Sequence, residues 1–212
     1  MITLTAANLA LLMDCPQVRA DRFVAPMQEA AKRAELTTEA RWAHFVAQVG
    51  HECGGLRHLE ELADGSAYEG RASLGNTAPG DGKRYKGRGI IQLTGKRNYE
   101  AFDGWMGLAG LLVREPERVA QVIEYAVATA PFFWQTRKLN ALADADTGEM
   151  TTITLGERRI DANRALLRIT RTVNGGTNGL EDRQRRFIRA LRILAKERAN
   201  DSGRAKEESS GT

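Results

Sequence analysis

The stretch Thr38-Glu-Ala-Arg-Trp-Ala-His-Phe-Val-Ala-Gln-Val-Gly-His-Glu52, followed by Cys53-Gly-Gly55, decides how the chain is read. Trp42, Phe45, Val46 and Val49 recur at helical spacing, which predicts an amphipathic helix with a buried stripe. Thr37 and Thr38 offer N-caps, and the paired glycines stop it. Glu52 falls three residues past Val49 and seven past Phe45, so it continues the buried stripe. Desolvation disfavours a charged carboxyl, the property that a general acid near neutral pH needs. A glutamate at a frayed helix end would instead turn out to water, and spacing alone leaves both readings open.

Outward from this helix the pattern stays mostly helical. A first helix capped by Thr5 is predicted, then one over about 21–35 with Pro26 near its start or kinking it. Residues 54–95 form a long Gly-rich irregular region of the kind that usually carries function. Helices resume over about 97–105 and 115–135, and residues 140–155 suggest a small hairpin or loop. Asp161 is expected to cap a helix to Val173, ended by Asn174-Gly-Gly-Thr-Asn-Gly179, and a last helix starts near Leu180. Residues 1–199 are therefore expected as one catalytic domain with two lobes, and 200–212, rich in Ser, Gly, Glu and Lys, as a disordered tail.

With 212 residues and 42% hydrophobic content the chain can bury a real core. Two cysteines, Cys15 and Cys53, are too few for a disulfide scaffold and form no Cys-x-x-Cys pair. The first thirteen residues lack a basic leader and fail as a signal peptide, and no apolar run approaches the roughly 20 residues needed to span a bilayer. A soluble protein is expected. From Arg183 to Lys206 nine Lys/Arg stand against two acids, so this segment holds more positive charge than the whole chain's +4. Such a segment could steer the protein to a polyanion, but the apolar stripe of Phe187, Leu191 and Leu194 favours an ordinary last helix with a solvated basic face.

Several motifs fail. His51-Glu52 lacks the second His of a zinc protease, because position 55 is Gly. Lys83 is followed by Arg84, not by the Ser or Thr of a phosphate loop, and Asp144-Ala-Asp146-Thr-Gly148 lacks further calcium ligands. Cys53 beside His51 is better explained as a small buried thiol than as a peptidase nucleophile. What remains is Glu52, further carboxylates at Glu60, Glu61 and Glu69, and the segment Tyr85-Lys-Gly-Arg-Gly-Ile-Ile-Gln-Leu-Thr-Gly-Lys-Arg-Asn-Tyr99. Gln92, Thr94 and Asn98 are neutral hydrogen-bonding groups suited to hydroxyl and acetamido partners. Two carboxylates with neutral polar contacts are the equipment of glycoside hydrolysis. The same groups could serve only as caps and loop hydrogen bonds.

His51-Glu-Cys-Gly-Gly55, Glu60-Glu61, the Tyr85–Thr94 run with Asn98-Tyr99, Val173-Asn-Gly-Gly176 and Asp182-Arg183 occur in this order. Together they resemble the signature of the family-19 chitinase-like glycoside hydrolases, most closely the phage and prophage endolysin branch, over roughly residues 20–195. The resemblance implies a mostly α, lysozyme-like bilobed domain with a Gly-rich loop or small β-hairpin beside the cleft. It implies hydrolysis with inversion and neither metal nor cofactor. By position Glu52 matches the general acid and Glu61 the general base, with Glu60 or Glu69 as alternatives for the base. Gln92, Thr94, Asn98, Asn174 and Arg183 match substrate contacts, and Arg183 is expected to hold Glu61 ionised.

Glu61 lies only nine positions past Glu52, far closer than in the plant chitinases but as in the endolysin branch, and the plant disulfides are absent. The expected role is an endolysin, a monomer that cuts the β-1,4 bonds of peptidoglycan glycan strands. It would stay in the host cytoplasm until a holin-type lesion releases it to the wall, with no nucleic-acid partner and no stable membrane insertion. The rivals are a chitinase acting on N-acetylglucosamine polymers and a silent wall- or nucleic-acid-binding module.

Overall fold

The computed structural model describes the backbone of residues 2–210 and the side chains of residues 2–199. Its elements run α1 (Ala6–Met13), α2 (Gln17–Asp21), α3 (Val24–Arg33), α4 (Glu39–Glu52), α5 (Asp81–Arg84), α6 (Lys96–Met106), α7 (Leu111–Arg114) and α8 (Arg118–Gln121). After these come α9 (Ile123–Thr136), α10 (Leu139–Asp144), the hairpin β1 (Met150–Leu155) and β2 (Arg158–Asn163), α11 (Arg164–Asn174) and α12 (Leu180–Ser210). The fold is mostly α, as the sequence predicts, and no helix among the described residues is long and apolar enough to cross a membrane.

Local signals explain the boundaries. Thr5 closes a capping box with Asn8 at the start of α1, and Thr38 caps α4 by accepting from the Arg41 N–H. Leu9, Leu12 and Met13 of α1 are core residues, so this segment belongs to the folded domain. The helix expected over 21–35 is α3, preceded by the short α2 that ends at Asp21, with Pro26 in the first turn of α3, where a missing N–H costs no helical bond. The hairpin lies later than expected, because residues 139–144 bury Leu139 and Ala143 as α10. Its strands pair antiparallel with Ile153 opposite Ile160, and Gly156 takes a positive φ at the turn. Asp161 is therefore a strand residue bonded to Thr152, and Asn163 caps α11 instead.

Two apolar cores, with a small third cluster of Ala162, Leu167 and Leu180, hold the fold together. The larger joins α1, α3, α4, α11 and α12, with Trp42, Phe45, Val46 and Val49 at its centre. The smaller gathers Tyr99, Phe102, Leu112, Val119 and Phe132. α9 serves both: Val127, Ala130 and Trp134 face the first core, while Ala128 and Phe132, one turn apart, face the second. Phe45 meets Trp134 edge to face at 5.2 Å, which fixes α4 against this shared spine.

α12 packs along α4, and most of its basic side chains among the described residues are committed. Arg183 and Arg186 are buried, Arg185 pairs with Asp182, Arg189 with Asp14 and Arg198 with Glu39. The expectation of a mainly solvated basic face is corrected to this extent: the helix needs these charges for its own packing. α12 carries helical backbone into the segment expected as a tail. The side chains beyond Ala199 lie outside the described residues, as do residues 211–212.

Candidate active site

Glu52 is the last residue of α4, and its side chain is 22% exposed, neither in the core nor turned out to water. Its Oε1 accepts from Nη2 of Arg183, which is only 1% exposed. The same guanidinium donates through Nη1 to Gln48 Oε1 at 2.6 Å and through Nε to the Asn178 carbonyl at 3.3 Å. This corrects two expectations for Arg183. It serves Glu52, not Glu61, and its burial leaves it no surface for a substrate. No partner among the described residues is recorded for the second oxygen of Glu52.

The neighbours of Glu52 are structural. His51 pairs through Nδ1 with Asp182 Oδ2 at 2.8 Å, and its ring lies against Gly179, where a Cβ would overlap it. Burial opposes the charge of Asp182, yet Arg186, His51 and Arg185 outweigh it and hold the carboxyl well below its usual range. Cys53 is buried, donates to the Val49 carbonyl and accepts from the Leu56 N–H. Burial pushes its thiol up to about 11, which leaves it neutral and unsuited to nucleophilic work.

The second carboxyl is presented by the Gly-rich region. Residues 60, 88 and 93 make bridge pairs, Glu60 with Arg88 and Arg88 with Leu93, and the Glu61 N–H donates to the Gly87 carbonyl. Gly89, at φ +82°, sits against Thr129 so closely that a Cβ would lie 2.4 Å from Thr129 Cγ2. The Ile90 N–H then reaches the Ala126 carbonyl, docking the loop on α9. The chain thus sets Glu61 beside Gly87, Gln92 and Thr94: a Cβ on Gly87 would meet Gln92 Oε1 at 2.8 Å and Glu61 Oε2 and Thr94 Oγ1 at 3.2 Å.

Glu61 Oε2 accepts from the Tyr68 hydroxyl at 2.9 Å, while its Oε1 is buried with no hydrogen-bond partner. Burial and the neighbouring Glu61 both raise the Tyr68 hydroxyl, which keeps it a neutral donor. Tyr68 is held in turn by Asn76, whose amide donates to the Tyr68 carbonyl and accepts from the Lys96 N–H. The alternatives to Glu61 are held differently. Glu60 Oε1 faces Arg88 at 2.9 Å and Lys86 at 3.3 Å. Both oxygens of Glu69 accept backbone N–H groups, from Gly80 and Gly82, and close the loop.

The remaining expected contacts divide. Gln92 and Thr94 converge on Glu61 through Gly87, with Gln92 at φ 53° and its amide anchored to the Gly89 carbonyl. Asn98 is exposed and donates to the Thr94 carbonyl. Asn174 bridges its own turn, donating to the Asn178 carbonyl and accepting from the Gly176 N–H. Tyr68 and Gln48 were not anticipated. Gln48 had a visible signal, a polar side chain one turn before Glu52 on the buried stripe, whereas an isolated Tyr in a Gly-rich loop had none. Among the described residues no group of three or more His, Cys, Asp or Glu side chains is arranged to hold a metal ion.

Comparisons with known proteins give the family and the fold. The family described as Glyco_hydro_19, chitinase class I, matches residues 22–187. A glycosyl hydrolase family 19 domain-containing protein of Haemophilus influenzae is 28% identical over 193 residues, covering 76% of this chain and 84% of that protein. An endochitinase of Arabidopsis thaliana is 34% identical over 113 residues, 53% of this chain and 38% of its own length. In fold, chitinase C from Streptomyces griseus aligns with a TM-score of 0.67 at 20% identity, covering 91% of this chain and 77% of that one. A class IV chitinase from Zea mays aligns with a TM-score of 0.63 at 19% identity over 92% of each chain. The family match spans most of the chain and contains Glu52, Glu60, Glu61 and Glu69, so this protein belongs to glycoside hydrolase family 19, the chitinase class I family, and is a glycoside hydrolase with a lysozyme-like helical fold.

Proposed function

We propose that the chain is an endolysin that hydrolyses β-1,4 glycosidic bonds in peptidoglycan glycan strands, with Glu52 as general acid and Glu61 as general base. The observation that carries the assignment is how the two carboxyls are held. Glu52 has one oxygen on buried Arg183 and is partly exposed, and Glu61 has one oxygen on the neutral Tyr68 hydroxyl beside Gln92 and Thr94, with no cation among its described side-chain partners, unlike Glu60. A neutral donor on one oxygen orients a carboxylate without neutralising it, the state that a general base needs.

In this reading Glu52 gives its proton to the glycosidic oxygen as the bond from the anomeric carbon breaks. Glu61 takes a proton from the water that attacks the same carbon on the opposite face. The new carbon–oxygen bond forms with inversion, and solvent returns the proton from Glu61 to Glu52. Gln92 and Thr94 offer neutral hydrogen bonds to the sugar beside the base. The enzyme is made in the host cytoplasm and reaches the wall through a lesion such as a holin makes; expression in a bacterial host with and without a holin tests this, since lysis without one would refute it.

A second reading, chitin as substrate, is favoured by the relatives and structural neighbours that are named as chitinases. Purified peptidoglycan and soluble N-acetylglucosamine oligomers assayed side by side for new reducing ends separate the two. Release of muropeptides, identified by mass spectrometry, is the expected result. Turnover of the oligomers alone would overturn the cell-wall assignment and leave the hydrolase intact.

A further inference from the structure

Gln48 is completely buried on α4, between Phe45 and Glu52 on one helix face, where an apolar residue would extend the core. Its two amide atoms are both used. Oε1 accepts from Arg183 Nη1 at 2.6 Å, and Nε2 donates to the hydroxyl of Thr170 at 3.1 Å. Thr170 is also fully buried, on α11. The orientation of the amide follows from chemistry: a guanidinium has five donors and no acceptor, so the amide oxygen must face Arg183 and the amide nitrogen must face Thr170. One buried polar chain therefore links α11, α4 and α12 and ends on the Glu52 carboxyl.

We propose that Gln48 and Thr170 are positioning residues for the general acid, acting through Arg183, an inference that rests on the assignment of Glu52 above. The Asn178 carbonyl and Gln48 Oε1 hold Nε and Nη1 of the guanidinium, so its Nη2 is aimed at Glu52 Oε1. That fixes the side chain at the frayed end of α4 and leaves its other oxygen without a partner among the described residues. A neutral amide suits the task. A carboxylate at position 48 would compete with Glu52 for the cation, and an apolar side chain would leave a buried donor unpaired.

The test uses the full chain with Gln48→Met, Thr170→Val, Thr170→Ser, Arg183→Lys and the Gln48→Met/Arg183→Lys double variant, assayed on peptidoglycan and on N-acetylglucosamine oligomers. Gln48→Met should lower kcat at least about tenfold with KM within roughly twofold, the signature of an interaction needed for the chemical step. Thr170→Val should lose less and Thr170→Ser should restore wild-type kcat. Because Gln48 acts through Arg183, the double variant should lose little beyond Arg183→Lys alone. Wild-type kcat in Gln48→Met, or losses that multiply independently in the double variant, would overturn the proposal. If Gln48→Met unfolds, the Thr170 pair decides: Val and Ser with equal kcat would overturn it. Glu52→Gln is the control, since its full activity would refute the acid assignment itself, whereas an inactive Glu52→Gln beside a fully active Gln48→Met would refute the positioning role alone.

Discussion

The Tyr68 hydroxyl lies 2.9 Å from Glu61 Oε2 and donates to it, so the loop that carries Tyr68 sets the orientation of the second carboxyl. Glu61 is held from three directions: its N–H by the Gly87 carbonyl, its own carbonyl by Lys86 Nζ, and its side chain by Tyr68. Removing the hydroxyl with Tyr68→Phe keeps the ring and frees the carboxylate to rotate. The expected outcome is a kcat roughly tenfold lower, or about 1.4 kcal/mol in the barrier, with the fold intact by circular dichroism. Unchanged kcat would mean that Tyr68 does not position the base.

Gly87 is the place where the site has no room for a side chain. A methyl group there would stand 2.8 Å from Gln92 Oε1 and 3.2 Å from Glu61 Oε2 and Thr94 Oγ1. All three atoms are ends of side chains, so the fold can yield while the site cannot keep its geometry. Gly87→Ala should therefore lower kcat/KM by roughly a hundredfold, the cost of misplacing reacting groups by about an ångström. Thermal unfolding should shift little. A large loss of stability with normal activity in the folded fraction would contradict this account.

Asp146 ties the loop before β1 to the core. Burial opposes its charge, but bonds from buried His44, from the Asn163 side chain and from the Gly148 N–H hold the carboxyl down to about 2. A carboxyl depressed in the folded state contributes stability that is complete above its unfolded value near 3.8 and is lost as pH falls through about 2. Urea denaturation midpoints of the wild type should therefore fall between pH 4 and pH 2. Asp146→Asn should be less stable near neutrality and should show a shallower decline in that window, and parallel curves for the two proteins would refute the role.

Cys53 should be inert in the native protein. Its thiol is raised to about 11 by burial, and its sulfur is bonded on both sides within the turn that ends α4. Iodoacetamide at neutral pH should modify Cys53 only after unfolding in urea, with peptide mass spectrometry locating the label. Rapid native labelling of Cys53 would place the residue nearer the surface than its burial allows.

Much of this was legible in the chain because it depends on local order. Thr5 and Thr38 as caps, the buried stripe from Trp42 to Val49 and the turn after Asn174 are short-range patterns, and each element formed near its predicted place. The partner of Arg183 was not legible. It lies 131 positions from Glu52, and charge alone does not say which of two carboxyls a distant guanidinium meets. Asp161 and Asn163 show the same limit at short range, since both can cap a helix, and cross-strand pairing with Thr152 decided between them. The uses of Glu60 and Glu69 likewise depend on a loop geometry that spacing does not encode.

The most direct test is the rate of reducing-end release from purified peptidoglycan by Glu52→Gln, Glu61→Gln, Glu60→Gln and Glu69→Gln. Each amide keeps the size of the side chain and removes its acid–base chemistry. The account predicts a loss of about a thousandfold or more in kcat for positions 52 and 61, with 60 and 69 retaining turnover in proportion to their folded fraction. Wild-type turnover by Glu61→Gln, or a Glu60→Gln enzyme that is folded but inactive, would contradict it.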